Sequence, residues 1–406
     1  MKFDNSSLYN IASTHEGTRY SLFDLATWKN GFAFKQAHFS ESGVPIIKIA
    51  ELNNGIGSTT AYTQQVFSNE VHLKKGDLLF SWSGNPQTSI DIFRFSLEEG
   101  WLNQHIFKVT PKEELVTKDF FFFLMKYLKP HFTQIATNKQ TTGLGHITIA
   151  DIKRMSIIIP SLEMQKAIVA HIKPIDEKIT LNMAINDNLE QQAQALYQEL
   201  FITNTDPSWE TGTISNLGTV IGGSTPSKAR PEYYTKNGIA WITPKDLSIN
   251  KSKFITHGES DITELGLKNS SATVMPEGTV LFSSRAPIGY IAIAAGNITT
   301  NQGFKSVVPN AEIGTAYVYY YLKQNLSMIE RLASGSTFKE VSGGTMKSVP
   351  AIVPDSKTIQ EFNNFCLPIF EQQKVLETQN RTLAGLRDSL LPKLMSGELD
   401  VSAVEL

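Results

Sequence analysis

Between Ile168 and Leu200 one stripe of positions advances by alternating steps of four and three: Ile168, Ile172, Ile175, Ile179, Asn182, Asn186, Leu189, Ala193, Leu196 and Leu200. A stripe this narrow, held for more than four heptads and interrupted only by two asparagines, predicts a long helix presenting a coiled-coil seam. Ser161, directly after Pro160, is placed to cap its start. The rhythm returns 194 positions later as Phe362, Cys366, Ile369, Gln373, Leu376, Asn380, Leu383, Arg387, Leu390 and Leu394, weakened at Gln373 and Arg387. Pro174 and Pro368 should kink each helix near its start, and Gly397 should stop the second. Two long helices of like pattern in one chain most simply pair with each other. The plainer alternative is two amphipathic helices, each packed on its own domain.

The rest of the chain follows another period. Short apolar runs rich in β-branched and aromatic residues, such as Pro45 to Ile49, Asp77 to Trp82, Ser156 to Ile159, Thr279 to Ser283 and Tyr290 to Ala294, are bounded by Gly, Asn and Pro and predict strands. These runs also come twice. Leu25 through Gly31 matches Leu217 through Gly223, Gly43 through Leu52 matches Gly238 through Leu247, and Gly76 through Ser81 matches Gly278 through Ser283. Asn103-Gln104 answers Asn301-Gln302, and the aromatic run from Phe120 answers the one from Tyr317. Offsets stay between 192 and 202, so a whole unit of about two hundred residues is duplicated, too long for a solenoid repeat. The expected organisation is a mostly β domain over 1–160, a helix over 161–206, a second β-rich domain over 207–354 and a second helix with tail over 355–406. This is an α+β chain with an internal pseudo-two-fold axis.

Composition changes the picture little, but charge sharpens it. The whole chain carries a net charge of −2, whereas the four segments carry +2, −4, +3 and −3 in order. Mildly basic globular parts on acidic helices are what two polyanion-binding modules on a spacer would show, although solvated surface is the default reading of any one lysine. A single cysteine, Cys366, excludes a disulfide framework and a cysteine-built zinc site, and no basic-then-apolar start or long apolar run appears. A cytoplasmic protein without membrane contact is the expectation.

Catalytic chemistry finds no support. The eight histidines form no HxH or HExxH pair, and no GxxxxGK[ST] phosphate loop occurs. Ser336 to Lys339 fits SxxK without a KTG elsewhere; Asp176-Glu177-Lys178 resembles half of a nuclease motif but lies on the helix; Asn85-Pro86 continues as Gln87-Thr88, without the aromatic of an amino-methyltransferase signature.

A duplicated β-rich domain followed by a heptad helix resembles the specificity subunit of type I restriction-modification enzymes. Arg387 through Leu399, reading RDSLLPKLMSGEL, is similar to that family's closing helix; Gly335 through Ser342 and Thr141 through Thr148 are similar to its segments leading into strand and helix. The resemblance covers about Tyr20 to Leu399. It implies two target-recognition domains, each reading one half of a bipartite double-stranded DNA site, joined by an antiparallel helix pair that carries two methyltransferase subunits. Restriction and motor subunits would join that core. It implies no cofactor in this chain; S-adenosylmethionine, ATP and Mg would belong to the partner subunits. Two other classes compete: a coiled-coil adaptor for proteins that does not bind DNA, and a self-contained modification enzyme, which the missing motifs disfavour.

Candidate DNA contacts are Lys139, Gln140, Thr141 and Thr142, their counterparts Ser336, Thr337 and Lys339, then Lys228, Arg230 and Arg285, all polar donors between apolar elements. Asn103-Gln104 and Asn301-Gln302 read instead as scaffold, because both halves keep them. Ile175, Ile179, Asn186, Leu189, Leu196 and Leu200 are the expected seam of the first helix, and Ile369, Leu376, Asn380, Leu383, Leu390 and Leu394 that of the second. From Ile175 to Leu200 a helix would span roughly 39 Å at about 1.5 Å per residue. That is close to the ~34 to 36 Å between successive major-groove faces, so the helices should act as a ruler.

Overall fold

The structure, a computed structural model, describes residues 8–140, 143–335 and 339–401. It divides into two compact units, Met1–Lys178 with Leu383–Leu406, and Ile179–Thr382.

In the first unit the strands that build the two main sheets include Ala26–Asn30 (β1), Val44–Ile47 (β2), Leu78–Ser81 (β3), Asp91–Arg94 (β4), Glu99–Leu102 (β5) and Ile106–Pro111 (β6). An antiparallel sheet runs in the order β1-β6-β3-β4, with Val109 opposite both Trp28 and Leu78. A second sheet pairs β2 with β5 in parallel, Ile46 opposite Trp101 and Ile47 opposite Leu102. The apolar run expected as one strand through Ile49 stops at Ile47. Glu51 reaches back to accept from Lys48 N at 3.0 Å and starts a helical turn, Ile49–Asn54. The Phe-rich run forms a helix, Lys118–Tyr127 (α1), in which Phe120 through Met125 are all buried. An all-round apolar helix needs cover on every side. The sheet supplies one side; Ile168, Val169 and Ile172 of the first long helix, Leu162–Gln198 (α2), join the same core, with Leu391, Leu394 and Met395 from near the chain's end.

The second unit repeats this plan with Gly218–Gly222 (β7), Ile239–Ile242 (β8), Val280–Ser284 (β9), Ile288–Ala294 (β10), Thr299–Thr300 (β11) and Lys305–Pro309 (β12). The sheet order β7-β12-β9-β10 matches that of the first unit, and β8 again runs parallel to β11, Trp241 opposite Thr299. One strand is extra: Phe254–Ile255 lies parallel to the far edge of β10. A tyrosine-rich helix, Gly314–Gln324 (α3), buries Ala316 through Leu322, and a last helix runs over Ser356–Ser396 (α4).

The start of the first long helix and the end of the second fall where the sequence predicts, while the first leaves α geometry after Gln198 for a π-helical turn, Glu199–Thr203. Ser161 Oγ accepts from Met164 N at 3.2 Å, and α4 stops at Ser396 before Gly397, whose φ of +81° suits glycine. A Cβ on Gly397 would also come within 2.6 Å of Thr14 Oγ1. Pro174 and Pro368 interrupt neither helix. Every seam position named above is buried or half-buried. The pairing is antiparallel. Within the second unit, Asn182 Nδ2 donates to Asn380 Oδ1 at 2.9 Å, while four residues later the Asn186 carbonyl accepts from Gln373 Nε2 at 3.3 Å, seven residues earlier on α4. Within the first unit Arg387 Nη1 meets Asp176 Oδ1 at 3.1 Å.

Candidate nucleic-acid interface

One backbone crossing recurs in the two units, and it explains the repeated asparagine. Asn103 N donates to Ile47 O at 3.1 Å, and Asn301 N to Ile242 O at 2.9 Å. Each pair thus leaves the short parallel sheet by the same bond. The end of β1 and the end of β7 pass over it so closely that a Cβ on Gly31 would lie 2.1 Å from Asn103 O, and one on Gly223 2.0 Å from Asn301 O. Only glycine fits at these two positions. Asn301 Oδ1 further holds the turn by accepting from Gly303 N at 2.9 Å.

Around this crossing the second unit opens a cleft of about 490 Å³. Thr225, Lys228, Trp241, Lys245, Arg285 and Gln302 are among its lining. Trp241 Nε1 donates to Ser224 O at 3.0 Å and fixes the wall. Lys228 is exposed with no partner among the described residues, while Lys245 pairs with Glu259 at 2.7 Å. Arg285 Nη1 lies 3.5 Å from Glu340, which also faces Lys305 at 3.4 Å. Glu340 is bridged to Ser334, and the residue after it, Val341, donates its N–H to Ser284 O at 3.0 Å. Three cations, two of them paired with carboxylates, a threonine hydroxyl and a primary amide therefore line a concave surface together with Asp246 and Glu259, and their donors are of the kind that meet phosphates and base edges.

The corresponding face of the first unit has different chemistry. Phe32 stands where the second unit has Ser224, and its ring packs 5.1 Å from Phe34 and 5.0 Å from Phe67, centroid to centroid. His38 completes the group, and Phe32 and Phe39 remain exposed, with Lys48 Nζ 5.1 Å from the Phe39 ring centroid. The bond corresponding to that of Val341 recurs here, Ile147 N donating to Trp82 O at 2.8 Å.

The sequence-derived contacts distribute unevenly over these surfaces. Lys228 and Arg285 meet in the cleft. Arg230 lies outside its lining and pairs with Glu232 at 3.5 Å. Lys339 is exposed, next to Glu340. Thr141, Thr142, Ser336 and Thr337 fall outside the described residues. Gln140 is exposed, but the Lys139 ammonium is engaged, 2.5 and 2.6 Å from the two oxygens of Asp151. Asp151 is buried; burial alone would raise its pKa, and Lys139 with Thr148 and Tyr9 outweighs that and holds it below the usual carboxylate range. Thr225, Lys245 and Gln302 were not singled out from the sequence as contacts. The available signal was the difference between Ala33 and Thr225, each two residues after the repeated Gly31 and Gly223.

No group of three His, Cys, Asp or Glu side chains able to hold a metal occurs among the described residues, and no helix among them is long and apolar enough to cross a membrane.

Comparison with known proteins places this geometry. The MjaIX type I restriction enzyme specificity subunit of Methanocaldococcus jannaschii is 40% identical over 167 residues, which is 41% of this chain and only 38% of that protein. The HindI type I restriction enzyme specificity subunit of Haemophilus influenzae is 25% identical over 404 residues, covering 80% of this chain and 87% of that one. The crystal structure of the type I restriction-modification S subunit from M. genitalium has the same fold, with a TM-score of 0.56 at 15% identity over 97% of this chain and 98% of that one. The type I restriction modification DNA specificity domain matches residues 17–191 and again 207–381, once on each duplicated half. The chain therefore belongs to that family, as a non-catalytic subunit that confers DNA sequence specificity.

Proposed function

We propose that the chain reads an asymmetric bipartite DNA site, one half with each unit, and brings two methyltransferase subunits and the restriction and motor subunits to it. The observation that carries this reading is the crossing at Gly31/Asn103 and Gly223/Asn301, held by the same main-chain bond from asparagine to isoleucine in both units yet surrounded by aromatic rings in one and by cations and a glutamine amide in the other. A common scaffold with divergent surfaces suits two half-sites of different sequence. Lys228, Lys245 and Arg285 would hold phosphates or base edges of the second half-site. The α2–α4 pair would set the spacing between half-sites. Apolar side chains exposed on these helices, Leu181, Met183, Leu367 and Val375 among them, support its use as a docking surface for the methyltransferase. S-adenosylmethionine, ATP and Mg are assigned to the partner subunits, and the complex to the cytoplasm.

Methylation mapping of DNA treated with the methyltransferase, with and without this chain, tests the reading. Adenine methylation at one defined split motif only when the chain is present is the expected result. Methylation unchanged by omitting it would overturn the proposal, and salt-independent or absent binding of duplex DNA by the complex would favour a protein adaptor.

A further inference from the structure

The repeated asparagine and glutamine do different work, and the difference points to a specific contact. Asn301 is used internally, through its N–H to Ile242 and its side chain to Gly303. Gln302 is exposed on the wall of the cleft, among Lys228 and Arg285. Its Oε1 accepts a hydrogen bond from Thr225 Oγ1, and its Nε2 has no hydrogen-bond partner among the described residues. An amide held in this way keeps one oxygen lone pair and two N–H donors without a partner among the described residues. A long, flexible side chain has lost the freedom that would otherwise be given up on binding.

The first unit lacks this arrangement for a reason visible in its sequence. Ala33 occupies the place of Thr225 and has no hydroxyl. The Gln104 amide nitrogen instead lies 3.1 Å from Nε2 of the neighbouring His105. One threonine thus separates a glutamine presented to the cleft from one turned to its own loop.

We propose that Gln302 is a base-reading residue of the second half-site and Thr225 the residue that positions it. The inference rests on the DNA-reading function proposed above. A glutamine amide with an acceptor and a donor free matches the N6–H and N7 edge of adenine in the major groove, so the base read is adenine. The flanking cations hold the backbone on either side.

The test uses the full chain assembled with its methyltransferase and a library of duplexes varied at every position of the mapped motif. Gln302→Ala should relax one adenine position in one half-site, lowering its discrimination about ten- to hundred-fold, and leave the other half-site as before. Gln302→Glu, which offers only acceptors, should shift that position toward cytosine, whose N4 donates. Thr225→Ala should weaken discrimination at the same position, and Thr225→Ser should restore it, which a merely structural threonine would not require. Gln104→Ala should leave the motif unchanged. If methylation depends on the chain but the Gln302→Ala and Gln302→Glu maps match the unaltered map, this inference fails and the proposed function stands. If methylation ignores the chain altogether, the proposed function fails first.

Discussion

Lys126 and Lys323 occupy corresponding places at the ends of α1 and α3, yet they are tied to different structures. In the first unit Lys126 stays within its own domain, 2.9 Å from Asp91 of β4, and Asp91 also takes Lys129 at 2.5 Å. The long helix is held separately, by Lys173 of α2 at 2.7 Å from Asp119, which in turn meets Arg94 at 2.9 Å. In the second unit Lys323 reaches the long helix directly, 2.7 Å from Glu190 of α2. Glu190 also takes Lys253 at 2.6 Å and the Tyr320 hydroxyl at 2.9 Å, while Gln373 of α4 accepts from Lys253 at 2.9 Å. Lys253 is 5% exposed and lies 3.9 Å from the Phe370 ring centroid, against 41% exposure for Lys173. The helix contributes the cation to one joint and the anion to the other. After duplication the backbone crossing allowed almost no change, because a Cβ at its glycines would overlap a carbonyl. The joints between domain and helix could be rebuilt, since any arrangement that neutralises its charges and fills its space would serve.

Breaking the second joint should have the larger effect. Lys253→Met leaves Glu190 half-buried with only Lys323 as counter-charge, and should destabilise the second unit by about 3 to 5 kcal/mol in urea unfolding. Adding Glu190→Gln should recover much of the loss. Full loss persisting in the double variant would show that packing of Lys253, and not its charge pairing, holds the joint.

Acid should attack the same place. Burial would raise the Glu190 pKa, but Lys253 and Lys323 outweigh it and bring it to about 2, from an unfolded value near 4.5. Its contribution is fully present above pH 4.5 and is lost as pH falls toward 2, on the order of 3 kcal/mol by linkage. Glu377 of α4, which accepts from Lys253 N and Phe254 N, works in the opposite sense: burial raises its pKa, so protonation relieves part of a penalty present at neutral pH. Stability measured from pH 6 to 2 should fall less steeply in Glu190→Gln than in the unaltered chain, and equal slopes would remove Glu190 from the account.

The crossing offers a sharper contrast. Gly31→Ala and Gly223→Ala each force a carbonyl aside and should destabilise by about 1 to 3 kcal/mol. Each should impair recognition of only one half-site, and a different one, when methylation of half-site variants is compared. The smallest effect is expected at the first joint. Asp119 sits at a part-exposed junction with its pKa lowered by Lys173 and Arg94 against burial, and Asp119→Asn should lose about 1 kcal/mol in the same urea assay.

Much of this architecture was readable in the chain. The heptad stripe from Ile168 to Leu200, the caps at Ser161 and Gly397 and the offset matches depend on local period and chemistry, and the corresponding elements formed. Where the strand reading overran, at Lys48 and Ile49, a carboxylate three residues on competed for the backbone. The candidate contacts were less legible because a lysine's role depends on its neighbours in space. Lys139 and Lys228 look alike in sequence; a buried Asp151 engages one, and the other faces an open cleft. Lys253 carried no local signal at all, since Glu190, Tyr320 and Gln373 come to it from 63, 67 and 120 residues away.

The central claim, one scaffold carrying two independent readers, is tested most directly by exchanging one reader. Residues 1–150 would be replaced by the matching domain of a relative with a different motif, and the methylation motif of the chimaeric complex mapped. The account predicts that one half of the motif changes to that of the donor while the other half and the spacing stay as they were. A change in both halves, or in neither while methylation continues, would contradict it.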